Sequence, residues 1–353
     1  MKRSLPPLDG VEKRRVDTGR LTMNVLERSG GSGPVVLFIH GNVSSATFWE
    51  ETMLALPDTF RAVACDLRGY GETDPQPIDA TKGLADMAAD VHSLVETLRL
   101  GRVHIVGHSM GGGVVMKYAI AHPEELLSLT LVDPVSPFGY SGTKDADGTP
   151  CTEDGAPAGG AGINPDFVRL LREGYTGTEE QMAPRNVFRR FYVKPPIVPR
   201  REDALVESML ATRVGDDWYP GDSVPSNNWP GAAPVTKGVL NALSGKYFDA
   251  SPIARIEPKP PLHWIRGADD LIVSNNAMFD MAALGAMGAV PGWPGTDVCP
   301  PQPMLDQTER VLSTYEERGG TVARNVIADA GHSPYLDQAQ DFNARFIEFL
   351  NSV

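Results

Sequence analysis

The stretch Val106-Gly107-His108-Ser109-Met110-Gly111-Gly112 decides the fold. It holds the pattern Gly107-x-Ser109-x-Gly111 between an apolar run, Arg102–Val106, and a run of good helix formers, Val114–Ala121. The first reads as a strand and the second as a helix. A strand that turns sharply into a helix forces its central residue into a strained backbone, and the side chain of that residue then stands clear of the main chain. The flanking positions must be glycine because side chains there would collide across the turn. The free N–H groups at the helix start face any negative charge that develops nearby. The pattern is therefore read as a nucleophile elbow carrying Ser109.

Working outward, strand and helix signals alternate through the first third of the chain. Val11–Val16 and Leu21–Leu26 read as a β-hairpin across Asp17–Arg20. Pro34–Ile39 is an apolar strand ending in His40-Gly41-Asn42, and Ala46–Leu56 reads as a helix. Arg61–Asp66 is the next strand, and Leu84–Leu98 has apolar residues at helical spacing. Leu127–Val132 is a strand ending at Asp133-Pro134. Apolar strands alternating with helices imply an α/β fold, a doubly wound, mostly parallel sheet covered on both faces. The alternation stops at about 135 and resumes at the strand Pro261–Arg266, followed by a helix at Met304–Gly319, a strand at Thr321–Ile327 and a helix at Asp337–Leu350. The interruption has a Gly- and Pro-rich loop at Ser141–Ile163, then helical stretches at Asp166–Glu173, Glu179–Phe191 and Arg201–Val214, then turn-rich Gly215–Val235. The expected division is a core of residues 1–134 and 259–353, with a mainly helical cap at 135–258.

Composition sets the outer limits. The chain has 353 residues, 41% hydrophobic and 22% charged, which is ordinary for a globular protein. A net charge of −13 argues against nucleic acid as a partner, since a polyanion would be repelled. No apolar run approaches the ~20 residues that span a membrane. The basic start Met1–Pro7 lacks the apolar segment of a secretory signal, so a cytoplasmic location is expected. Three cysteines make no even disulfide framework, in keeping with a reducing compartment. Cys65 lies in a strand, whereas Cys151 and Cys299 lie in loops.

A serine becomes a nucleophile when a histidine takes its proton and a carboxylate orients that histidine. Of the seven histidines, His332 alone sits just after the last strand, in Ala330-Gly331-His332-Ser333. Two strand ends offer the acid. Asp270 follows the strand ending at Arg266, and Asp133 follows the strand after the serine helix. Chain order favours Asp270, with its neighbour Asp269 and with Asp133 as the alternatives. The oxyanion hole needs two converging N–H donors. Met110, next to the serine, supplies one, and Asn42, in the loop after Pro34–Ile39, supplies the other. No metal or organic cofactor enters this chemistry.

Taken together, the His40-Gly41 loop, Asp66-Leu67-Arg68-Gly69-Tyr70-Gly71, the elbow at Ser109, Asp270 and Gly331-His332-Ser333-Pro334-Tyr335 resemble the α/β-hydrolase superfamily over roughly 34–134 and 261–350. The resemblance implies a capped, doubly wound sheet and hydrolysis of an ester, lactone or amide. The run His40–Trp49 also resembles the corresponding loop of haloalkane dehalogenases, which, like epoxide hydrolases, use an aspartate nucleophile. Serine at 109 speaks against those chemistries. Some superfamily members place their acid where Asp133 lies.

The expected function is cleavage of an apolar or aromatic carboxylic ester or lactone through an acyl-enzyme on Ser109, with a small-molecule substrate chosen by the cap. An amidase, aminopeptidase or carbon–carbon bond hydrolase on the same triad is the alternative, and a non-catalytic small-molecule-binding protein is a third. Most cap aromatics are expected to form the cap's own small core. The basic run Arg185–Arg201 reads as a solvated face in preference to a clamp for an anionic substrate. The insertion Ala283–Pro303 is a candidate pocket border or subunit contact, and a homo-oligomer is left open.

Overall fold

The computed structural model describes residues 4–353, so Met1–Arg3, the basic start of the chain, lie outside the described residues. Eight strands form one sheet: β1 Val11–Asp17, β2 Thr22–Arg28, β3 Val35–Ile39, β4 Arg61–Cys65, β5 Val103–His108, β6 Leu126–Val132, β7 Leu262–Gly267 and β8 Val322–Ile327. Their order is β1-β2-β4-β3-β5-β6-β7-β8. β1 and β4 both pair antiparallel with β2, and every other pair is parallel. The expected α/β architecture is therefore present.

Burial explains the strand sequences. Every residue of β3 and β5 is buried, which requires cover on both faces and accounts for unbroken apolar runs in place of alternation. The helices Ala85–Leu98, Met110–Ala121, Met304–Glu317 and Ala339–Ser352 provide that cover. Helix Ala85–Leu98 turns Met87, Val91, Leu94 and Val95 inward, the spacing that one helical face requires. Each fully buried side chain of this size contributes about 1.5–3 kcal/mol.

Residues 133–261 separate β6 from β7 in sequence. They include helices Pro165–Glu173, Pro184–Val187, Glu202–Leu210 and Val239–Ala242, and two small antiparallel hairpins, Thr143–Lys144 with Thr149–Pro150 and Ser223–Pro225 with Ala232–Pro234. Helix Pro165–Glu173 has a complete set of end signals. Asn164 caps it by accepting from the Asp166 N–H, and Gly174 ends it at φ 69°. The helix expected over Glu179–Phe191 is much shorter. It begins at Pro184, where a proline fits the first turn, and passes into a π-helix at Phe188–Tyr192. The two hairpins fall in stretches expected to be loops, being too short for a periodic signal.

The insertion shares one continuous hydrophobic cluster with the sheet domain. Phe48 packs against Phe188 and Tyr192, and the Ser45 and Ser208 hydroxyls bond at 2.6 Å. Cys65 is buried in β4, and the Cys151 and Cys299 thiols, both free, share a hydrogen bond between the insertion and the loop before Met304. Among the described residues, no helix is long and apolar enough to cross a membrane.

Candidate active site

The strand order reverses its direction of winding between β3 and β5, because β4 lies on one side of β3 and β5 on the other. Loops leaving the carboxyl ends of these strands diverge, and a crevice opens between them. Ser109 and Asn42 stand at that crevice.

Ser109 connects β5 directly to helix Met110–Ala121, at φ 54° and ψ −120°. A positive φ on a serine costs on the order of 1–3 kcal/mol and persists only when neighbours enforce it. Here the Ser109 N–H donates to Val132 O, and Ser109 O accepts from Gly112 and Val135 N–H groups. The glycines leave no alternative. A Cβ on Gly107 would lie 2.3 Å from Gly111 O, and one on Gly111 would lie 2.4 Å from His40 O.

Asn42 is fixed from three sides. Its Oδ1 accepts from the Val43 N–H at 3.0 Å and from the Tyr70 hydroxyl at 2.6 Å, and its carbonyl accepts from the Tyr192 hydroxyl at 2.9 Å. The Asn42 N–H and Nδ2 have no acceptor among the described residues. The Met110 N–H opens the helix and has no partner within it.

The Nδ1–H of His332 donates to Asp270 Oδ2 at 2.8 Å, which leaves Nε2 as the acceptor. The other carboxylate oxygen of Asp270 accepts from the Ile272 and Val273 N–H groups at 2.7 and 3.0 Å. Asp270 is 7% exposed and His332 2%, so water does not compete for this bond. Asp269 points the other way, into a surface ion pair with Lys194 at 2.7 Å.

Asp133 lies beside this pair without a bond to the imidazole. Its Oδ1 accepts from the Gly267 N–H at 3.0 Å, bridging β6 to β7, and its Oδ2 is buried without a conventional donor. Burial first, and the adjacent Asp270 second, push the Asp133 carboxyl well above the usual range. Two buried carboxyls this close share a proton better than they share two charges. A proton on Asp133 Oδ2 gives the orphan atom a donor role toward Asp270.

Several residues around the site carry no signal of their own in the sequence. His108 Nε2–H donates to the His332 carbonyl at 2.7 Å, and the Tyr335 hydroxyl lies 3.2 Å from His108 Nδ1. Burial holds His108 far below the ordinary histidine range, so it is neutral. It ties the elbow to the loop carrying His332. His40 is likewise buried and neutral, accepting from the Leu67 N–H at 3.0 Å. Tyr192 sets its ring edge-on to His332 at 6.1 Å while its hydroxyl holds the Asn42 carbonyl.

Ser109, Met110, Asn42 and His332 all line one cavity of about 900 Å³. Its walls are mainly apolar, including Phe167, Phe191, Met182, Leu240 and Ile272. Five aromatics of residues 133–261, Tyr140, Phe167, Phe191, Tyr192 and Tyr219, line it, and Leu284 and Val290 place the segment 283–303 on its border.

Residues 34–146, which contain the Asn42 loop and the elbow at Ser109, match the family model described as the alpha/beta hydrolase fold. Over this stretch the chain is similar to the α/β-hydrolase superfamily, and the whole chain has that fold. Among curated members, a fluoroacetate dehalogenase from Burkholderia sp is 37% identical over 128 residues, 35% of this chain and 41% of that protein. A 2-(acetamidomethylene)succinate hydrolase from Mesorhizobium japonicum is 38% identical over 125 residues, 35% of this chain and 44% of that protein. The chain thus spans less than half the length of either relative. A solved membrane phospholipase A shares the fold at a TM-score of 0.61 and 20% identity, over 97% of this chain and 86% of that one.

Proposed function

We propose that this α/β-hydrolase cleaves an apolar or aromatic carboxylic ester or lactone through an acyl-enzyme on Ser109. The observation that carries the reading is Ser109, on a strained elbow, sharing one apolar cavity with a histidine whose far nitrogen is held by a buried carboxylate. Ser109 Oγ attacks the carbonyl carbon while His332 Nε2 takes its proton. Asp270 keeps His332 in the tautomer that can accept, and it stabilises the imidazolium once formed. The Met110 and Asn42 N–H groups receive the oxyanion. His332 then gives its proton to the leaving alcohol, and water repeats the sequence on the acyl-enzyme.

The division into a core of 1–134 and 259–353 and a cap of 135–258 belongs to this reading, with the cap supplying most of the apolar wall. Among the described residues no aspartate or glutamate lines the cavity, so no carboxylate there would hold a substrate ammonium, which disfavours an aminopeptidase. Serine at the nucleophile position disfavours the chemistry named by the dehalogenase relative.

The test is turnover of a chromogenic aryl ester by wild type and Ser109→Ala. A loss of about 10⁴-fold or more in kcat with an unchanged melting temperature is expected. Equal turnover by both proteins overturns the assignment.

A further inference from the structure

Six basic residues fall in the run Arg185–Arg201, and the structure separates one from the rest. Arg185 pairs with Glu202 and Asp203 at 2.7 Å each, and Arg189 also holds Glu202. Lys194 pairs with Asp269 and Asp329, and Arg201 pairs with Glu50. Arg200 is exposed and away from the cavity. Arg190 is the exception. It lines the cavity, is exposed, and its side chain makes no ion pair or hydrogen bond among the described residues. Its guanidinium lies 5.3 Å from the centre of the Phe191 ring, which is itself part of the wall.

The π-helix Phe188–Tyr192 produces this placement. Its wider turn lets three consecutive side chains, Arg190, Phe191 and Tyr192, reach the same cavity. Tyr192 is anchored on the Asn42 carbonyl, so the segment that presents Arg190 is tied directly to the oxyanion loop. Departures of this kind from α-helical winding are frequent at functional sites.

Among the described residues Arg190 is also the one permanent charge on the wall, in a chain whose net charge is −13. A neutral apolar ligand that fills the cavity covers part of the guanidinium and returns nothing for the lost water. A carboxylate on the ligand returns two parallel N–H···O bonds to a planar donor fork.

We propose that Arg190 is the recognition site for a carboxylate on the substrate, so that the preferred substrate is an apolar ester or lactone carrying an acid group remote from the scissile carbonyl. This rests on the hydrolase reading above and names the substrate class of the same site.

Two arms separate a failure of this proposal from a failure of that reading. In the first, 4-nitrophenyl monoesters of straight-chain diacids of graded length are compared with the matching esters in which the terminal acid is capped as its methyl ester. Wild type is expected to prefer the free acid about tenfold in kcat/KM at one chain length, mainly through KM. The preference should shrink in high salt. It should fall to about one in Arg190→Gln, survive in part in Arg190→Lys, and persist in Arg200→Gln, which removes an equal charge elsewhere. In the second arm, binding of medium-chain alkyl carboxylates and their parent alcohols to Ser109→Ala is measured by calorimetry, where no turnover is needed. Tighter binding of the carboxylate that is lost in the double variant with Arg190→Gln supports the proposal even if ester turnover is absent. A preference unchanged by Arg190→Gln, or no preference at any length, overturns it.

Discussion

At the residue scale, the two neighbouring aspartates have opposite duties. Asp270 accepts from the His332 imidazole, the orienting role proposed for it, whereas Asp133, bridging β6 to β7, is driven by burial and by Asp270 toward its protonated form. An asparagine copies a protonated aspartic acid, with an oxygen to accept from Gly267 and an N–H to give to Asp270. Asp133→Asn should therefore retain ester turnover within a few-fold. Asp270→Asn should lose about 10⁴-fold in kcat, the scale seen when a triad carboxylate is made neutral. Steady-state kinetics on both variants decides it, and the reverse pattern would move the orienting role to Asp133. The sequence could narrow the acid only to these candidates, since both lie at the carboxyl ends of strands that turn out to be neighbours. Chain order pointed to Asp270, but the bond to His332 is a distance, and distances are not written in the sequence. His108 shows the same limit. Its place beside Ser109 suggests only that it points away, and its bond to the His332 carbonyl joins residues 224 positions apart.

At the element scale, β5 and helix Met110–Ala121 meet so closely that the turn admits no extra atom. A Cβ on Gly111 would meet the Ile39 and His40 carbonyls at 2.5 and 2.4 Å, and these belong to the backbone of another strand end and its loop. Gly111→Ala should destabilise the fold by at least about 1–3 kcal/mol, read as a lower urea midpoint. A midpoint equal to wild type would mean that the elbow is looser than described. Elements with long periodic stretches were legible, as in Ala85–Leu98 and the wholly apolar β3 and β5. The segment Glu179–Phe191 was not. Its apolar spacing suggested one helix, but Pro184 sets the start and the packing of Phe188 and Tyr192 on Phe48 draws the last turn into a π-helix. That tertiary pull leaves no local signature, and with it the position of Arg190 was hidden.

At the scale of the whole molecule, several buried histidines make stability depend on pH. Burial holds His104 and His263 down at about 4, against an ordinary value of 6.5. Between these limits the unfolded chain binds protons that the folded chain refuses, so stability falls as pH drops from about 6.5 to about 4 and levels off below. For His263 the loss is on the order of 3 kcal/mol. Half-buried Asp337, raised to about 6 by desolvation, works in the opposite direction over a similar range. The histidine contribution is therefore read as a difference. His263→Gln should lose less stability than wild type between pH 7 and pH 4 in urea melts, and an identical loss would show that His263 titrates normally. The wider claim is that the sheet, the elbow and the capped cavity together present one activated serine. The most direct measurement is covalent labelling with an alkyl fluorophosphonate, followed by peptide mass spectrometry. A single adduct on Ser109 is expected, formed at a rate that falls sharply in Asp270→Asn and absent in Ser109→Ala. An adduct elsewhere, or equal labelling of Ser109→Ala, would contradict it.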